Sequence, residues 1–270
     1  MSIILNFLEN VVTPYLGKLR LWNNRYVNVI YYHDIVLGTG NSFDRTNIVT
    51  FKKQMEYILS EGYETLLFQD LNNPECLKFR KKRVLISFDD GWKSNYTEIF
   101  DYMLQRGIKY NVFLIVGKIG ENPDYLNWEM VKKMNDSGIV GFGVHTYSHI
   151  DMTDVRIVDT SKEITEANEI FHREIGRTPE DFCYPFGYYS EESNHYLERN
   201  SGYKRIYTSK KMYSYKENDV IIFGRNGISE DHSMRVFKRK LKGYYNSYKT
   251  VETLFVQPLV SLRKKLKRKS

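Results

Sequence analysis

Short apolar runs alternate with amphipathic stretches along most of the chain. The apolar runs are rich in β-branched and aromatic residues, and they predict strands at 27–32, 63–68, 84–88, 110–116, 139–144, 182–184, 206–209 and 220–223. Apolar spacings of three and four residues, most of them followed by glycine, predict helices at 51–61, 94–105, 128–135, 161–175 and 191–200. This alternation favours parallel βα units of the α/β class, closed or nearly closed into a distorted (β/α) barrel.

Length and charge suggest where the barrel begins and ends. A chain of 270 residues has room for one barrel domain, which we expect at 25–230. Residues 1–24 predict a helical segment that is broken at Pro14, and residues 231–270 predict a basic, mainly helical extension. From His232 onward, twelve Lys and Arg residues face one acid, Glu252, while the whole chain has a net charge of +7. The predicted barrel is therefore mildly acidic.

Polar residues with metal-binding chemistry follow two of the predicted strands. Asp89 and Asp90 come directly after the apolar run 84–88, and His145 and His149 come after the run 139–144. The carboxyl ends of parallel strands meet at one edge of a barrel, where α/β barrels carry their chemistry. The two histidines share one face if their segment turns helically. A carboxylate with two imidazoles suits a divalent metal with an open coordination position. The pattern therefore predicts metal-assisted hydrolysis.

Two further segments follow predicted strands. His33 comes after the strand at 27–32, and Pro185-Phe186-Gly187 comes after Tyr184. A histidine in this position is either a hydrogen-bonded structural residue or a catalyst. The proline-containing segment is either a stiffened loop or a pocket wall whose backbone N–H groups face an oxyanion.

These residues together resemble the polysaccharide deacetylase family, which is carbohydrate esterase family 4, also called the NodB homology domain. Ser-Phe-Asp-Asp-Gly at 87–91 resembles the first motif of the family, and His-Thr-Tyr-Ser-His at 145–149 resembles the second. Tyr-Pro-Phe-Gly at 184–187 is similar to the third. The resemblance runs from about residue 27 to residue 228. It implies a distorted (β/α) barrel that removes an N-acetyl or O-acetyl group from a sugar.

The resemblance also implies a role for each motif residue. By motif position, the metal ligands are Asp90, His145 and His149, and the general base is Asp89. The third motif would line the substrate and oxyanion site with Tyr184, Pro185 and Phe186. Zinc is the default metal for these ligands, and Co²⁺, Ni²⁺, Fe²⁺ or Mn²⁺ are alternatives.

The chain departs from the family pattern at two places. Cys183 stands where an arginine usually opens the third motif and orients the base, and Arg225 is the predicted substitute. The late Leu-x-His pattern of the family is also missing. Because Tyr32-His33 resembles the permuted subgroup that includes poly-N-acetylglucosamine deacetylases, we expect His33 to be the general acid. His232 is the late alternative.

The sequence therefore predicts a metal-dependent carbohydrate deacetylase acting on a polysaccharide, an oligosaccharide or a lipid- or nucleotide-linked glycan. A metal-dependent amidase for a non-sugar amide and a non-catalytic glycan- or membrane-binding barrel remain alternatives. The basic C-terminal end favours an anionic membrane surface over nucleic acid, because no nucleic-acid-binding motif accompanies it. A solvated end is the simpler alternative. The first residues lack the basic start of a signal peptide, so we expect a cytoplasmic protein, peripheral at the inner face of the membrane.

Overall fold

The structure is a computed structural model that describes residues 6–19, 25–38, 44–79, 82–153 and 157–256. The strands within these ranges are β1 (Asn28–Tyr32), β2 (Asp34–Val36), β3 (Arg45–Asn47), β4 (Glu64–Leu66), β5 (Arg83–Phe88), β6 (Tyr110–Leu114), β7 (Val140–Val144), β8 (Asp181–Cys183), β9 (Arg205–Thr208), β10 (Tyr215–Glu217) and β11 (Val220–Gly227). The α-helices there are α1 (Thr13–Leu19), α2 (Ile48–Ser60), α3 (Pro74–Leu77), α4 (Ser94–Thr97), α5 (Phe100–Gln105), α6 (Trp128–Asp136), α7 (Ile157–Ile175), α8 (Glu191–Asn200), α9 (Met234–Leu241) and α10 (Tyr248–Val251). Short 3₁₀ turns lie at Phe68–Asn72, Val116–Lys118 and Pro185–Gly187, and π-helical turns lie at Leu8–Val12 and Glu252–Val256.

Seven parallel strands close into a barrel in the order β1-β11-β9-β8-β7-β6-β5, and β5 pairs again with β1. Val29 in β1 lies opposite Leu85 on one side and Arg225 on the other, which fixes the register at the closure. β4 pairs with the beginning of β5, and β10 pairs antiparallel with β11 outside the barrel. The predicted distorted (β/α) barrel is confirmed.

The barrel strands are mostly apolar because both of their faces are buried. One set of alternating side chains packs under the helices, while the other set fills the barrel interior. The interior set includes Val29, Leu85, Phe113, Tyr207 and Phe223. Because side chains alternate along a strand, the face of β5 that carries Leu85 also carries Ser87 and continues to the carboxyl end of the strand.

Several elements differ in extent from the sequence-based predictions. The helix expected at 94–105 is divided into α4 and α5, because Ile99 has a non-helical φ of −122° between them. The strand expected at 220–223 continues to Gly227, so Arg225 lies within β11 rather than after it. The short strands β2 and β3 were not predicted, because each has only three residues and β3 is entirely polar.

The N-terminal segment is not broken at Pro14, so that prediction is wrong. The π-helical turn at Leu8–Val12 runs directly into α1, and the Thr13 N–H donates to the Leu8 carbonyl. Pro14 is then in the first turn of α1, where its missing N–H costs little. At the other end of the chain, α9 packs on the barrel, and Phe237 and Leu241 are buried. The domain boundaries at 24 and 230 stay predictions, and residues 1–5, 20–24 and 257–270 lie outside the described residues.

Candidate active site

The carboxyl edge of the barrel collects the predicted catalytic residues. His33 follows β1, Asp89 and Asp90 follow β5, and His145 follows β7. Arg225 lies three-quarters of the way along β11 and points into the same end of the barrel, where it reaches Asp89. Sequence positions almost 200 residues apart therefore meet at one place.

Asp89 and Arg225 form a buried, two-pronged ion pair. The two terminal guanidinium nitrogens of Arg225 donate to Oδ1 and Oδ2 of Asp89 at 2.6 and 2.7 Å. The same guanidinium donates to the Ser87 hydroxyl at 3.2 Å and lies 2.9 Å from the Cys183 sulfur. Arg225 thus lies beside Cys183 and binds both oxygens of Asp89, while its role as the substitute for the third-motif arginine stays a prediction.

The ion pair keeps Asp89 ionised. Burial by itself would raise the pKa of Asp89, but the Arg225 guanidinium outweighs that effect and holds the pKa at about 2. Arg225 stays protonated because Asp89 offsets its own burial and raises its pKa. The site therefore contains a carboxylate that is anionic at any physiological pH.

His33 lies next to the Asp89 carboxylate. Its Nε2 lies 4.0 Å from Asp89 Oδ2, and its Nδ1 lies 3.8 Å from Asp44 Oδ1. The ring packs edge-on against Tyr31, and Asn95 donates to the His33 carbonyl. The late alternative, His232, lies elsewhere, with its Nε2 3.0 Å from the Lys240 ammonium. The geometry thus places His33, and not His232, beside Asp89.

Asp90, His145 and His149 converge on one point. Oδ1 of Asp90 lies 3.6 Å from Nε2 of His145 and 3.4 Å from Nε2 of His149. The three candidate ligand atoms lie within 4.8 Å of one another. The other Asp90 oxygen accepts a hydrogen bond from the Trp92 indole at 3.0 Å, which fixes the carboxylate orientation.

Left-handed backbone conformations, rather than a helical turn, bring these side chains together. Asp90, Thr146 and His149 have φ values of 76°, 63° and 70°. Segment 145–149 therefore does not form the helical turn that was one way for His145 and His149 to share a face. Non-glycine residues in this region cost of order 1–3 kcal/mol each and persist only where neighbouring contacts enforce them. Here the Thr146 hydroxyl accepts from the His149 N–H at 2.9 Å and holds the loop.

The imidazoles are prepared for metal ligation. Nδ1 of His145 donates to the Cys183 carbonyl at 2.7 Å, which leaves Nε2 as the ligand atom. Burial lowers the pKa of His145, and burial together with neighbouring His145 lowers the pKa of His149 to about 4. Neutral imidazoles are the form that binds metal. A divalent metal of the zinc type therefore fits this donor set.

The third motif is divided between the core and the surface. Tyr184 is buried, and its hydroxyl donates to Asn194 at 2.8 Å, so its side chain does not face the site. Pro185 is also buried. Phe186 has a φ of 57° and is 56% exposed, with its ring centroid 4.6 Å from that of His149. Of the three, only Phe186 presents its side chain at the site.

Glycine is required after Phe186. Gly187 has a φ of 72°, and a Cβ there would meet Ser209 atoms at 1.8–2.4 Å. The Ser209 hydroxyl also donates to the Phe186 carbonyl at 3.0 Å. The end of β9 thus fixes the loop that carries Phe186.

Sequence reasoning missed Glu163, which holds the histidine loop from α7. One carboxylate oxygen of Glu163 accepts the N–H groups of Tyr147 and Ser148 at 3.0 and 2.8 Å. The other accepts the Ser148 hydroxyl at 2.7 Å. A glutamate on an amphipathic helix looks like any solvated residue, so the sequence carried no signal for this role. Trp92 was missed as well, although its position two residues after Asp90 was a usable signal.

Comparisons with known proteins agree with this architecture. The polysaccharide deacetylase family model matches residues 77–206. YxkH of Bacillus subtilis, provisionally named a polysaccharide deacetylase, is 26% identical over 211 residues, which are 77% of this chain and 74% of YxkH. The poly-beta-1,6-N-acetyl-D-glucosamine N-deacetylase of Staphylococcus aureus is 22% identical over 203 residues, covering 70% of this chain and 69% of that protein.

Solved structures share the fold. IcaB from Ammonifex degensii is 20% identical with a TM-score of 0.67, and the match covers 82% of this chain and 97% of IcaB. The deacetylase PplD of Streptococcus pyogenes, solved with acetate, is 19% identical with a TM-score of 0.70, and the match covers 80% of this chain and 98% of PplD.

The barrel and the family match indicate the class of protein, a (β/α) barrel of the polysaccharide deacetylase type. Within that class, residues 77–206 match the polysaccharide deacetylase family model, and the resemblance predicted from the three motifs is confirmed.

Proposed function

We propose that this protein removes N-acetyl groups from amino sugars of a glycan by metal-dependent hydrolysis. The observation that carries the proposal is one juxtaposition at the barrel edge: an ionised, oriented Asp89 next to the Asp90–His145–His149 cluster. These three residues would hold Zn²⁺ as the first choice, with Co²⁺, Ni²⁺, Fe²⁺ or Mn²⁺ as alternatives. The name of the Staphylococcus aureus relative, an N-deacetylase of a β-1,6-linked glucosamine polymer, supports an amino-sugar substrate.

The reaction is the addition of water to an acetamide, which releases acetate and a free amine. When bound, the metal lowers the pKa of water and polarises the acetyl carbonyl. Asp89 takes the proton from the attacking water, since it is anionic and lies beside both His33 and the metal-binding cluster. His33 donates a proton to the amine as the C–N bond breaks. Proton transfer of this kind contributes about 10²–10⁴-fold to the rate.

Two residues support these steps without transferring protons. Arg225 is a positioning residue, since it fixes both oxygens of Asp89 and keeps them charged. The backbone N–H of Phe186 is the proposed donor to the carbonyl oxygen as negative charge develops there. The Phe186 ring, together with the exposed Tyr188, offers flat apolar surface for a sugar at the rim.

Acetate release with and without metal tests the proposal. We expect the full chain to release acetate from N-acetylglucosamine oligomers in β-1,4 or β-1,6 linkage, to lose this activity on chelation, and to regain it with Zn²⁺ or Co²⁺. His149→Gln should lose bound metal and activity together. His195→Gln is the matched control, because His195 is exposed on α8 and bonds only to the Glu191 carbonyl among the hydrogen bonds described.

Two results would count against the proposal. Full activity after exhaustive removal of metal would exclude the metal-dependent mechanism. Hydrolysis of simple non-sugar amides, with no acetate from any N-acetylated or O-acetylated sugar, would favour the amidase alternative.

A further inference from the structure

The N-terminal helix, here residues 6–19 with the π-helical turn and α1, exposes apolar side chains on its outer side. Its inner side packs on the segment that follows α9. There Gly17 touches the Tyr244 backbone so closely that a Cβ would lie 1.8 Å from the Tyr244 carbonyl oxygen. Its outer side exposes Phe7, Val11 and Tyr15, each more than half exposed and each four residues after the last. A soluble surface helix normally carries charged residues on its outer side. This outer stripe is therefore unusual.

Basic residues flank this apolar stripe. An open groove of about 620 Å³ separates the helix from α9 and is lined by Lys18, Arg235 and Arg239, besides Val11 and Tyr15. Two more basic residues, Lys238 and Lys242, line the adjoining groove on α9. We call this combination the lateral surface: the outer stripe of Phe7, Val11 and Tyr15, with the cations Lys18, Arg235, Lys238, Arg239 and Lys242.

The basic end of the chain starts beside the lateral surface. The Ser247 hydroxyl, at the start of α10, donates to the Thr13 carbonyl of the N-terminal helix at 3.0 Å. The described chain ends nine residues later, at Val256. Residues 257–270 lie outside the described residues and contain six Lys and Arg residues with no acid. The sequence that follows Val256 therefore adds six positive charges to this end of the chain.

Charge decides which partner suits this surface. A second copy of the chain would bring the same cations against these, and the basic tail would be repelled by the groove. An anionic bilayer offers apolar depth for the stripe and negative charge for the cations, which is the pattern of interfacial helices. Basic residues near such a surface contribute about 1 kcal/mol each. Among the described residues, no helix has the length and apolar character needed to span a membrane, so the fit is to the bilayer surface.

The lateral surface is separate from the proposed catalytic residues but begins near their edge. Glu9 of the helix pairs with Lys211, which follows β9 by three residues at the carboxyl edge of the barrel. None of the six catalytic and metal-binding candidates, which are His33, Asp89, Asp90, His145, His149 and Arg225, belongs to the lateral surface. We infer that the lateral surface docks the protein onto an anionic lipid bilayer, with Phe7, Val11 and Tyr15 entering the headgroup region.

Vesicle sedimentation of the full chain tests this inference. We expect binding to phosphatidylcholine vesicles that contain about a third phosphatidylglycerol, weaker binding at high salt, and little binding to phosphatidylcholine alone. The variant Phe7→Ser/Val11→Ser/Tyr15→Ser should bind about tenfold more weakly. Val49→Ser/Leu59→Ser/Leu104→Ser is the matched control, because it removes three exposed apolar side chains from α2 and α5.

A second variant tests the charge on its own. Arg235→Glu/Lys238→Glu should weaken binding to anionic vesicles several-fold while the apolar stripe is intact. Circular dichroism and acetate release from a soluble substrate check that each variant is folded, so failure of docking is distinct from failure of the proposed function. Native-like binding by the triple serine variant would overturn the inference. A lipid-independent dimer that the triple serine variant dissociates would also overturn it, because a second copy would then cover the stripe.

Discussion

The barrel contains two buried arginine–aspartate pairs, one at each edge. At the carboxyl edge, Arg225 binds Asp89 at 2.6 and 2.7 Å, and at the amino edge Arg205 binds Asp181 at 2.6 and 2.9 Å. All four side chains are almost fully buried. By geometry alone, the two pairs are nearly equivalent.

Their surroundings make them different. Asp181 also accepts a hydrogen bond from the Tyr207 hydroxyl at 3.0 Å, and Arg205 also donates to Asn72 at 2.8 Å. The pair at the amino edge is therefore enclosed by further hydrogen bonds. Asp89 instead faces His33 and the Asp90–His145–His149 cluster. We therefore propose a structural role for the Arg205–Asp181 pair, whose other polar atoms are hydrogen-bonded, and a catalytic role for Asp89, which lies beside titratable and metal-binding groups.

The largest expected effect separates these two roles directly. Asp89→Asn should lower kcat by about 10²–10⁴-fold, because the proton acceptor is lost. Asp181→Asn should leave kcat unchanged. Both variants should lose about 3 kcal/mol of unfolding free energy, since each leaves a buried arginine without its charged partner. Acetate release and urea unfolding of both proteins measure the two quantities.

The test depends on comparing the activity losses of Asp89→Asn and Asp181→Asn. Equal losses of activity in the two variants would mean that Asp89 acts through stability alone. Bound metal should stay near the native stoichiometry in Asp89→Asn, because Asp90, His145 and His149 are intact.

The comparison also shows what the sequence could predict. Asp89, Asp90, His33 and His145 each follow an apolar run, and parallel topology brings such ends together, so their meeting was predictable. The roles assigned to them stay predictions. Arg225 was predicted only as a substitute for a missing arginine, and its reach to Asp89 depends on the closure of β11 against β1.

Other features depend on tertiary contacts that no local pattern records. The loop at 145–149 has left-handed conformations at Thr146 and His149 instead of a helical turn, because Glu163 and the Val116–Lys118 turn hold its backbone. Tyr184 belongs to a motif that suggested substrate contact, yet its side chain is directed toward Asn194 in the core. Spacing alone could not distinguish these outcomes.

A third buried cation extends the comparison of the two pairs. Lys240 donates to the Gly227 carbonyl at 2.6 Å and lies 3.0 Å from His232 Nε2. Burial, and then the charge of Lys211, lower its pKa to about 7, whereas burial with a carboxylate partner raises the pKa of Arg225 and Arg205. A close carboxylate therefore decides the direction of the shift.

The shifted lysine should make stability rise with pH. Between about pH 7 and 10.5 the unfolded chain binds the Lys240 proton and the folded chain does not, so the native state gains stability as pH increases. From pH 7 to pH 9 the gain is about 2 kcal/mol relative to Lys240→Met, which cannot titrate. Urea unfolding at both pH values measures it. An identical pH dependence in the two proteins would show that Lys240 is charged when folded.

A smaller effect tests how the carboxyl edge is held. Glu163→Ala removes the acceptor for the Tyr147 and Ser148 N–H groups and should weaken metal binding about tenfold, as supporting contacts around a ligand do. Glu166→Ala is the control on the same helix, because Glu166 is partly exposed and pairs only with Lys162 among the ion pairs described. Competition with a chromophoric chelator compares the affinities. Equal affinities would mean that the histidine loop keeps its shape without Glu163.

The smallest effect concerns Tyr184, which lies in the third motif but has a buried side chain that is hydrogen-bonded in the core. Tyr184→Phe removes the hydrogen bond to Asn194 and should cost about 1 kcal/mol of unfolding free energy, with kcat and KM unchanged. Phe186→Ala should instead raise KM, because its ring is exposed beside His149. If Tyr184→Phe altered KM and Phe186→Ala did not, the division of this motif between core and site would be reversed. The expected outcome would show that neighbouring residues of one motif have different roles, and that these roles depend on what surrounds each side chain, as they do for the two ion pairs.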